Sequence, residues 1–275
     1  MTRLVLLTGA TGFVGRQVLK TLEAMNIRVR LVIREGKQGD LASSPNIESI
    51  FTTSDLFSEP QEKLLTMCSG VDTVIHVAWY TEPGKYLSSP KNMSCLRGTL
   101  SLAEAAATSG VRRVVGVGTC FEYDLDYSIL SNTTPLAPRT SYAAAKAAAY
   151  YGLNSWLPSQ GIEFAWCRLF YLYGEGEDTR RLVPYLHAQL KAGENVELTQ
   201  GTQIRDYMDV ENAGRMIAEL ALTNKQGAQN ICSGIPVSIR QLAEQIADIY
   251  GRRDLLLFGS RAENEFDPVC VLGVV

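Results

Sequence analysis

A chain of 275 residues, 46% hydrophobic and 20% charged with a formal net charge of -3, has room for one large α/β domain or a domain with a lobe. It carries no dense Lys/Arg block, so nucleic acid and anionic membrane surfaces are not expected as partners. The apolar run Leu4-Val5-Leu6-Leu7 is too short for a secretory core and no stretch reaches membrane-spanning length, so a soluble, cytoplasmic protein is expected.

That first apolar run predicts a strand over residues 4–7, and a helix is predicted over 13–24. Between them lies Thr8-Gly9-Ala10-Thr11-Gly12-Phe13-Val14-Gly15. Three glycines between a buried strand and a helix start can present bare backbone N–H groups to a diphosphate. Their spacing is one residue longer than the G-x-G-x-x-G fingerprint, and alone they are a weak signal. Further apolar runs predict strands over 29–33, 47–51, 73–76, 113–117 and 163–168. Helix-like stretches at 60–67, 91–109 and 142–157 alternate with them. Strands apolar throughout, joined by helices, imply a parallel sheet covered on both faces.

After Arg168 the rhythm changes. A polar loop at 174–178 precedes a helix over 182–192, a short strand over 196–198, and helices over 210–222 and 238–250. We expect residues 1–170 to form a dinucleotide-binding domain to which 204–232 returns, with 171–203 and 233–275 forming a smaller substrate lobe. The six cysteines contain no C-x-x-C and only two histidines are present, so no metal site is expected and the thiols read as reduced structural residues.

Tyr142 and Lys146 stand four residues apart on one face of a predicted Ala-rich helix. The loop Gly118-Thr119-Cys120 closes the fifth predicted strand, at the end where open α/β sheets bind ligands. A phenol titrating near about 10 is a poor acid–base group until a neighbouring ammonium lowers it, and the Thr119 hydroxyl is placed to hold the same substrate oxygen.

In this arrangement the chain resembles the extended short-chain dehydrogenases/reductases of the NAD-dependent epimerase/dehydratase family, in the branch that modifies nucleotide sugars. The resemblance rests on the glycine loop, Asp55-Leu56, His76-Val77-Ala78-Trp79, Gly98-Thr99, Thr119, Tyr142/Lys146, Arg168-Leu169-Phe170 with Tyr173-Gly174, and Arg205-Asp206-Tyr207. It implies a Rossmann fold, a doubly wound, mostly parallel seven-stranded sheet with a small C-terminal substrate lobe. It also implies a cofactor site of Gly9, Thr11, Gly12, Phe13, Val14, Gly15, Arg34, Asp55, Leu56, Val77, Ala78 and Trp79 with Tyr142 and Lys146. Asp55 and Leu56 would touch the adenine and Lys146 the nicotinamide ribose. Catalysis would fall to Thr119, Tyr142 and Lys146. Trp79, Tyr80, Thr119, Cys120 and Tyr171 would line the substrate pocket, with Arg205, and secondarily Arg261, on the nucleotide-sugar diphosphate.

The departures narrow the reading. Where NAD-binding members end the second strand with an acid, this chain has Ile33-Arg34, which favours NADP over NAD, although Glu35 follows; Arg16 is a second positive group nearby. Dehydratases carry Asp-Glu directly after the catalytic Thr, whereas here Cys120-Phe121 follow, which argues against 4,6-dehydration. Cys95 and Tyr171 replace two family asparagines, and residues 267–275 stop where the family begins its last helix, so an abbreviated lobe is expected. His76 reads as a satisfied core residue and Cys120 as a neutral gap-filling thiol. The expected function is NADP-dependent reduction of the 4-keto group of a nucleoside-diphosphate 4-keto-6-deoxyhexose. The alternatives are an NAD-dependent nucleotide-sugar 4-epimerase and a non-catalytic dinucleotide-sensing protein. A homodimer through the helices at 91–109 and 142–157 is expected by resemblance.

Overall fold

The computed structural model describes residues 3–41, 43–263 and 267–275, so Met1 and Thr2 lie outside the described residues. Seven strands form the large sheet: β1 (Leu4–Thr8), β2 (Arg28–Arg34), β3 (Ile47–Thr53), β4 (Thr73–His76), β5 (Arg113–Thr119), β7 (Glu163–Leu169) and β11 (Gly227–Ile231). Their order is β11-β7-β5-β4-β1-β2-β3 and every neighbouring pair is parallel. The chain therefore starts mid-sheet, runs outward to β3, and returns to β1's other side as β4. The reversal leaves a crevice at the C-terminal ends of β1 and β4.

Helices cover both faces. α1 (Phe13–Ala24) and α6 (Val210–Leu222) bury Val18, Leu22, Ile217 and Ala221 against Val5, Leu7 and Val115. On the other face, α2 (Gln61–Cys68), α3 (Lys91–Thr108) and α4 (Ser141–Ser159) pack Leu64, Leu102, Ala149 and Leu153 against Leu6, Val74, Phe164 and Trp166. Strands buried on both faces need no alternation of polar residues, which is why β1 and β5 are solid runs of buried residues.

A second sheet runs β12-β10-β14-β6, formed by β12 (Pro236–Ser238), β10 (Ile204–Asp209), β14 (Cys270–Gly273) and β6 (Ile129–Leu130). β8 (Tyr171–Tyr173) pairs with β10, so residues 204–209 belong to this sheet whereas α6 and β11 join the large one. A separate core of Leu186, Leu190, Val196, Ile246 and Leu255 unites α5 (Leu182–Ala192), α7 (Ile239–Tyr250) and the pair β9 (Val196–Leu198) and β13 (Leu256–Phe258). All six cysteines are free thiols, five of them buried. Among the described residues no helix is long and apolar enough to cross a membrane.

Candidate active site

The glycine loop closes tightly beneath β4's end. Gly9 adopts φ 76°, and a Cβ there would lie 2.9 Å from the Ala78 nitrogen; one on Gly15 would lie 2.0 Å from the Gly9 carbonyl oxygen. Gly12 donates its N–H to that carbonyl at 2.9 Å and opens α1 without a side-chain cap. The first N–H groups of α1 thus face outward with the positive end of its dipole, beside Thr11, Phe13 and Val14. Uncapped backbone N–H groups at a helix start are a cradle for an anion, which fits the pyrophosphate of a dinucleotide.

The crevice floor is tied by hydrogen bonds. His76 Nδ1 meets Thr8 Oγ1 at 2.8 Å and its Nε2 meets Thr99 Oγ1 at 2.9 Å, while Ala78 N–H donates to Thr8 Oγ1 at 3.2 Å. Val77 and Ala78 therefore lie against the glycine loop. Burial, aided by Lys146, pushes the His76 imidazole down to about 3, so the ring is a neutral core residue. At the rim, Arg34 stands exposed at the end of β2. Asp55 follows β3 and accepts the Phe57 N–H at 3.1 Å, capping a short turn in which Leu56 is buried. The Phe57 ring meets those of His76 and Trp79 edge-on.

Thr140 caps α4 by accepting the Ala143 N–H, and this start sets Tyr142 and Lys146 inward, both buried. The Tyr142 ring packs edge-on against Tyr86 at 4.8 Å and Trp79 at 6.4 Å between centroids. Burial pushes its phenol upward, as do Tyr86 and Glu122, and hydrogen bonding with the Thr119 side chain draws it partly back. Lys146 Nζ donates to the Val117 carbonyl at 2.5 Å and stands 3.9 Å from the centre of the Trp79 ring. Burial pulls its ammonium down to about 7 against the pull of Glu122. The expectation that Lys146 lowers the phenol needs correction for this structure. The ammonium is turned to Val117 and Trp79, and burial dominates at Tyr142, which is held protonated.

On the lobe side the expected substrate residues divide. Tyr171 packs against Phe121 and Tyr207, with the Arg205 guanidinium 5.4 Å from its ring centre. Arg205 is buried and ion-paired to Asp267 at 2.7 Å, not to the adjacent Asp206, whose carboxylate receives N–H groups of Ser233, Gly234 and Gly273. Cys120 is buried in a small core with Tyr123, Phe170 and Val271, against which Phe121 and Tyr171 pack, and burial pushes its thiol up. Arg261 is exposed beside Tyr185 and Glu197. Tyr80 donates to Glu82 at 2.8 Å, with Lys91 over its ring.

Several groups around Tyr142 escape a motif reading. Tyr86 comes from a short turn, and Arg181, whose guanidinium lies 5.8 Å from the Tyr86 ring centre, precedes α5. Nearby Glu177, pushed up to about 7 by burial and drawn back by Arg181, adds a titratable carboxyl. Glu122 was legible in principle, since Thr119-x-x-Glu122 has the spacing of a capping box, and that box is formed. Together a protonated phenol, a hydroxyl and an ammonium at a strand end, beside an open helix N-terminus, can polarise and protonate a carbonyl.

Comparison with known proteins fits this geometry. The dTDP-6-deoxy-L-talose 4-dehydrogenase (NAD(+)) of Aggregatibacter actinomycetemcomitans is 24% identical over 245 residues, covering 88% of this chain and 88% of that protein. The dTDP-4-dehydro-6-deoxy-D-allose reductase of Streptomyces bikiniensis is 25% identical, covering 91% and 82%. The solved UDP-N-acetylglucosamine 4-epimerase of Methanobrevibacter ruminantium M1 superposes with a TM-score of 0.87 at 21% identity, covering 99% of this chain and 89% of that one, a likeness of fold. The profile of the NAD dependent epimerase/dehydratase family matches residues 5–232, and the chain belongs to that family.

Proposed function

We propose that this protein reduces the 4-keto group of a nucleoside-diphosphate 4-keto-6-deoxyhexose with NADP as its cofactor. The observation that carries the reading is the buried phenol of Tyr142 beside the Thr119 hydroxyl at the end of β5, where burial favours its neutral, proton-bearing form. The bound dinucleotide would supply the hydride. Tyr142, kept neutral by its apolar surroundings, donates its proton to the ketone oxygen as negative charge develops there. Thr119 donates a hydrogen bond to the same oxygen, and Lys146, one turn along α4, holds the ribose. Gly9, Gly12 and Gly15 admit the diphosphate, Asp55 and Leu56 flank the adenine, and Arg34 takes a 2′-phosphate. Tyr171 and Trp79 offer flat faces to the sugar or base, and Arg205, freed from Asp267, reaches the substrate diphosphate.

Cys120-Phe121 after Thr119 supply neither the acid nor the base of a dehydration, which supports reduction over water loss. The two curated relatives named above act at the 4-position of dTDP-linked 6-deoxysugars, which supports the substrate class. The protein would work in the cytoplasm as a homodimer formed by α3 and α4, on which Met93, Tyr151 and Trp156 are exposed. The test is to mix the purified protein with such a keto sugar and NADPH or NADH: NADPH should be consumed in proportion to the sugar reduced, and NADH more slowly. An epimerase would retain NAD through dialysis and show no net cofactor oxidation. A sensing protein would bind dinucleotide and turn nothing over.

A further inference from the structure

The turn after β5 buries a carboxylate that the proposed chemistry does not use. Glu122 is fully buried, and its oxygens collect donors: the Thr119 N–H at 2.8 Å, the Trp166 indole N–H at 3.0 and 3.1 Å, and Arg168 Nε at 2.7 Å. All are donors, and with the Arg168 guanidinium they favour the ionised form against the burial that pushes this carboxyl upward. The backbone is shaped around it: a Cβ on Gly118 would lie 2.1 Å from the Trp166 indole nitrogen and 2.3 Å from Glu122 Oε1. Taking this ion pair out of water is costly and is offset only by its close geometry and the further hydrogen bonds to the carboxylate.

We infer that Glu122 is a positioning residue of the reaction, its carboxylate fixing the Thr119 backbone and adding negative charge, across the Trp166 ring, to the surroundings of the buried Lys146 ammonium. The inference rests on the reductase reading for the roles of Thr119 and Lys146, but not for the electrostatics between them. Thr119 is clamped from both sides, its N–H by Glu122 and its hydroxyl by the Phe121 N–H at 3.3 Å, so its oxygen keeps one orientation toward Tyr142. Lys146 Nζ lies 5.8 Å from the centre of the Trp166 ring, whose N–H is bound to Glu122, and Glu122 favours the charged form of the lysine. The other titratable neighbours are Cys95 on α3, whose thiol burial pushes up, His76 on β4, a neutral imidazole, and Tyr142 on the same helix, a neutral phenol. Arg168 on β7 is bound to Glu122, and its guanidinium is sandwiched between the rings of Tyr123 and Tyr150. Glu122 thus acts on Tyr142 and Lys146 in one direction, raising both.

Removing the charge should move both groups to lower pH together. Glu122→Gln alone leaves Arg168 unpaired and can fail to fold, so the working variant is Glu122→Gln with Arg168→Met, which retains an oxygen for the Thr119 N–H. In protein labelled with 13C at lysine Cε, the Lys146 resonance is identified by its loss in Lys146→Met. Its titration midpoint should fall by on the order of one pH unit in the double variant, and the pH–rate profile for keto-sugar reduction should shift acidward with it. Glu122→Asp, which keeps the charge, should restore the Lys146 midpoint while lowering kcat through a slackened Thr119. An unchanged Lys146 midpoint in the folded double variant, or a wild-type rate and profile, would overturn the inference. If the wild-type protein turns over no keto sugar, the reductase reading falls alone and the lysine titration still decides the part played by Glu122.

Discussion

Acidification should strike this fold first at His76. Its ring is buried between Thr8 and Thr99, and it stays neutral down to about 3 against an ordinary value of 6.5, through burial first and the Lys146 ammonium second. The unfolded chain takes up this proton near 6.5 and the folded chain only near 3. Between these values the unfolded state binds more protons, so stability is intact above 6.5 and is lost as pH falls through the window. At about 1.36 kcal/mol per unit, the gap sets a ceiling of about 4.8 kcal/mol, of which roughly 2 kcal/mol is gone by about pH 5. Against a total of about 5–15 kcal/mol for a typical domain, that is a large share. The assay is urea unfolding followed by circular dichroism from about pH 7.5 to about pH 4.5, for the wild type and His76→Gln. Glutamine is neutral throughout and offers one donor and one acceptor to the two threonines. The variant starts lower by whatever packing it loses, but the wild type should lose roughly 2 kcal/mol more than the variant between about pH 7 and about pH 5. Parallel stability profiles would refute the reasoning.

Three further outcomes concern the site. Gly15→Ala puts a methyl 2.0 Å from the Gly9 carbonyl oxygen, a backbone atom that can yield only if the loop moves. Dinucleotide affinity by calorimetry should drop about a hundredfold, or about 2.7 kcal/mol, with the fold retained by circular dichroism; unchanged affinity would show that the loop does not hold the ligand. Tyr142→Phe keeps the ring contacts with Tyr86 and Trp79 and removes the acid, so kcat should fall about 10²–10⁴-fold while the dinucleotide Kd stays within about threefold. Arg34→Ala should reduce the ratio of NADPH to NADH affinity by about tenfold, and an unaltered ratio would transfer the 2′-phosphate to another residue.

What could be read from sequence follows from where the physics is local. β4, α1, α5, β9 and α6 occupy the spans expected from apolar periodicity, because each is bounded by turn residues and buries its own apolar face. The seventh strand, β11, was invisible as a strand: Gly227-Ala-Gln-Asn-Ile carries polar residues where a buried run was sought. Its Asn230 is satisfied by distant partners, accepting from the Tyr123 hydroxyl at 2.7 Å and donating to the Leu130 and Val274 carbonyls at 2.8 and 3.0 Å. β10 hid for the same reason, since Arg205 and Asp206 break any apolar run and are buried on long-range partners. In the site, spacing alone brought Tyr142 and Lys146 onto one helix turn, and the strand-end loop brought Thr119 to them. No spacing could place Tyr86, which meets Tyr142 only through the fold, or foresee that Trp79 would cover the Lys146 ammonium.

The central claim is that this chain transfers a net hydride to a 4-keto sugar, with Tyr142 as the proton donor. The direct measurement is a single-turnover mixing of the protein, stripped of endogenous nucleotide, with NADPH deuterated at the transferred position and dTDP-4-keto-6-deoxyglucose, with mass spectrometry of the sugar. One deuterium is expected at C4 of an alcohol product with the loss of one NADPH per sugar, both abolished in Tyr142→Phe. A product without deuterium, formed while NADPH stays intact, would contradict it.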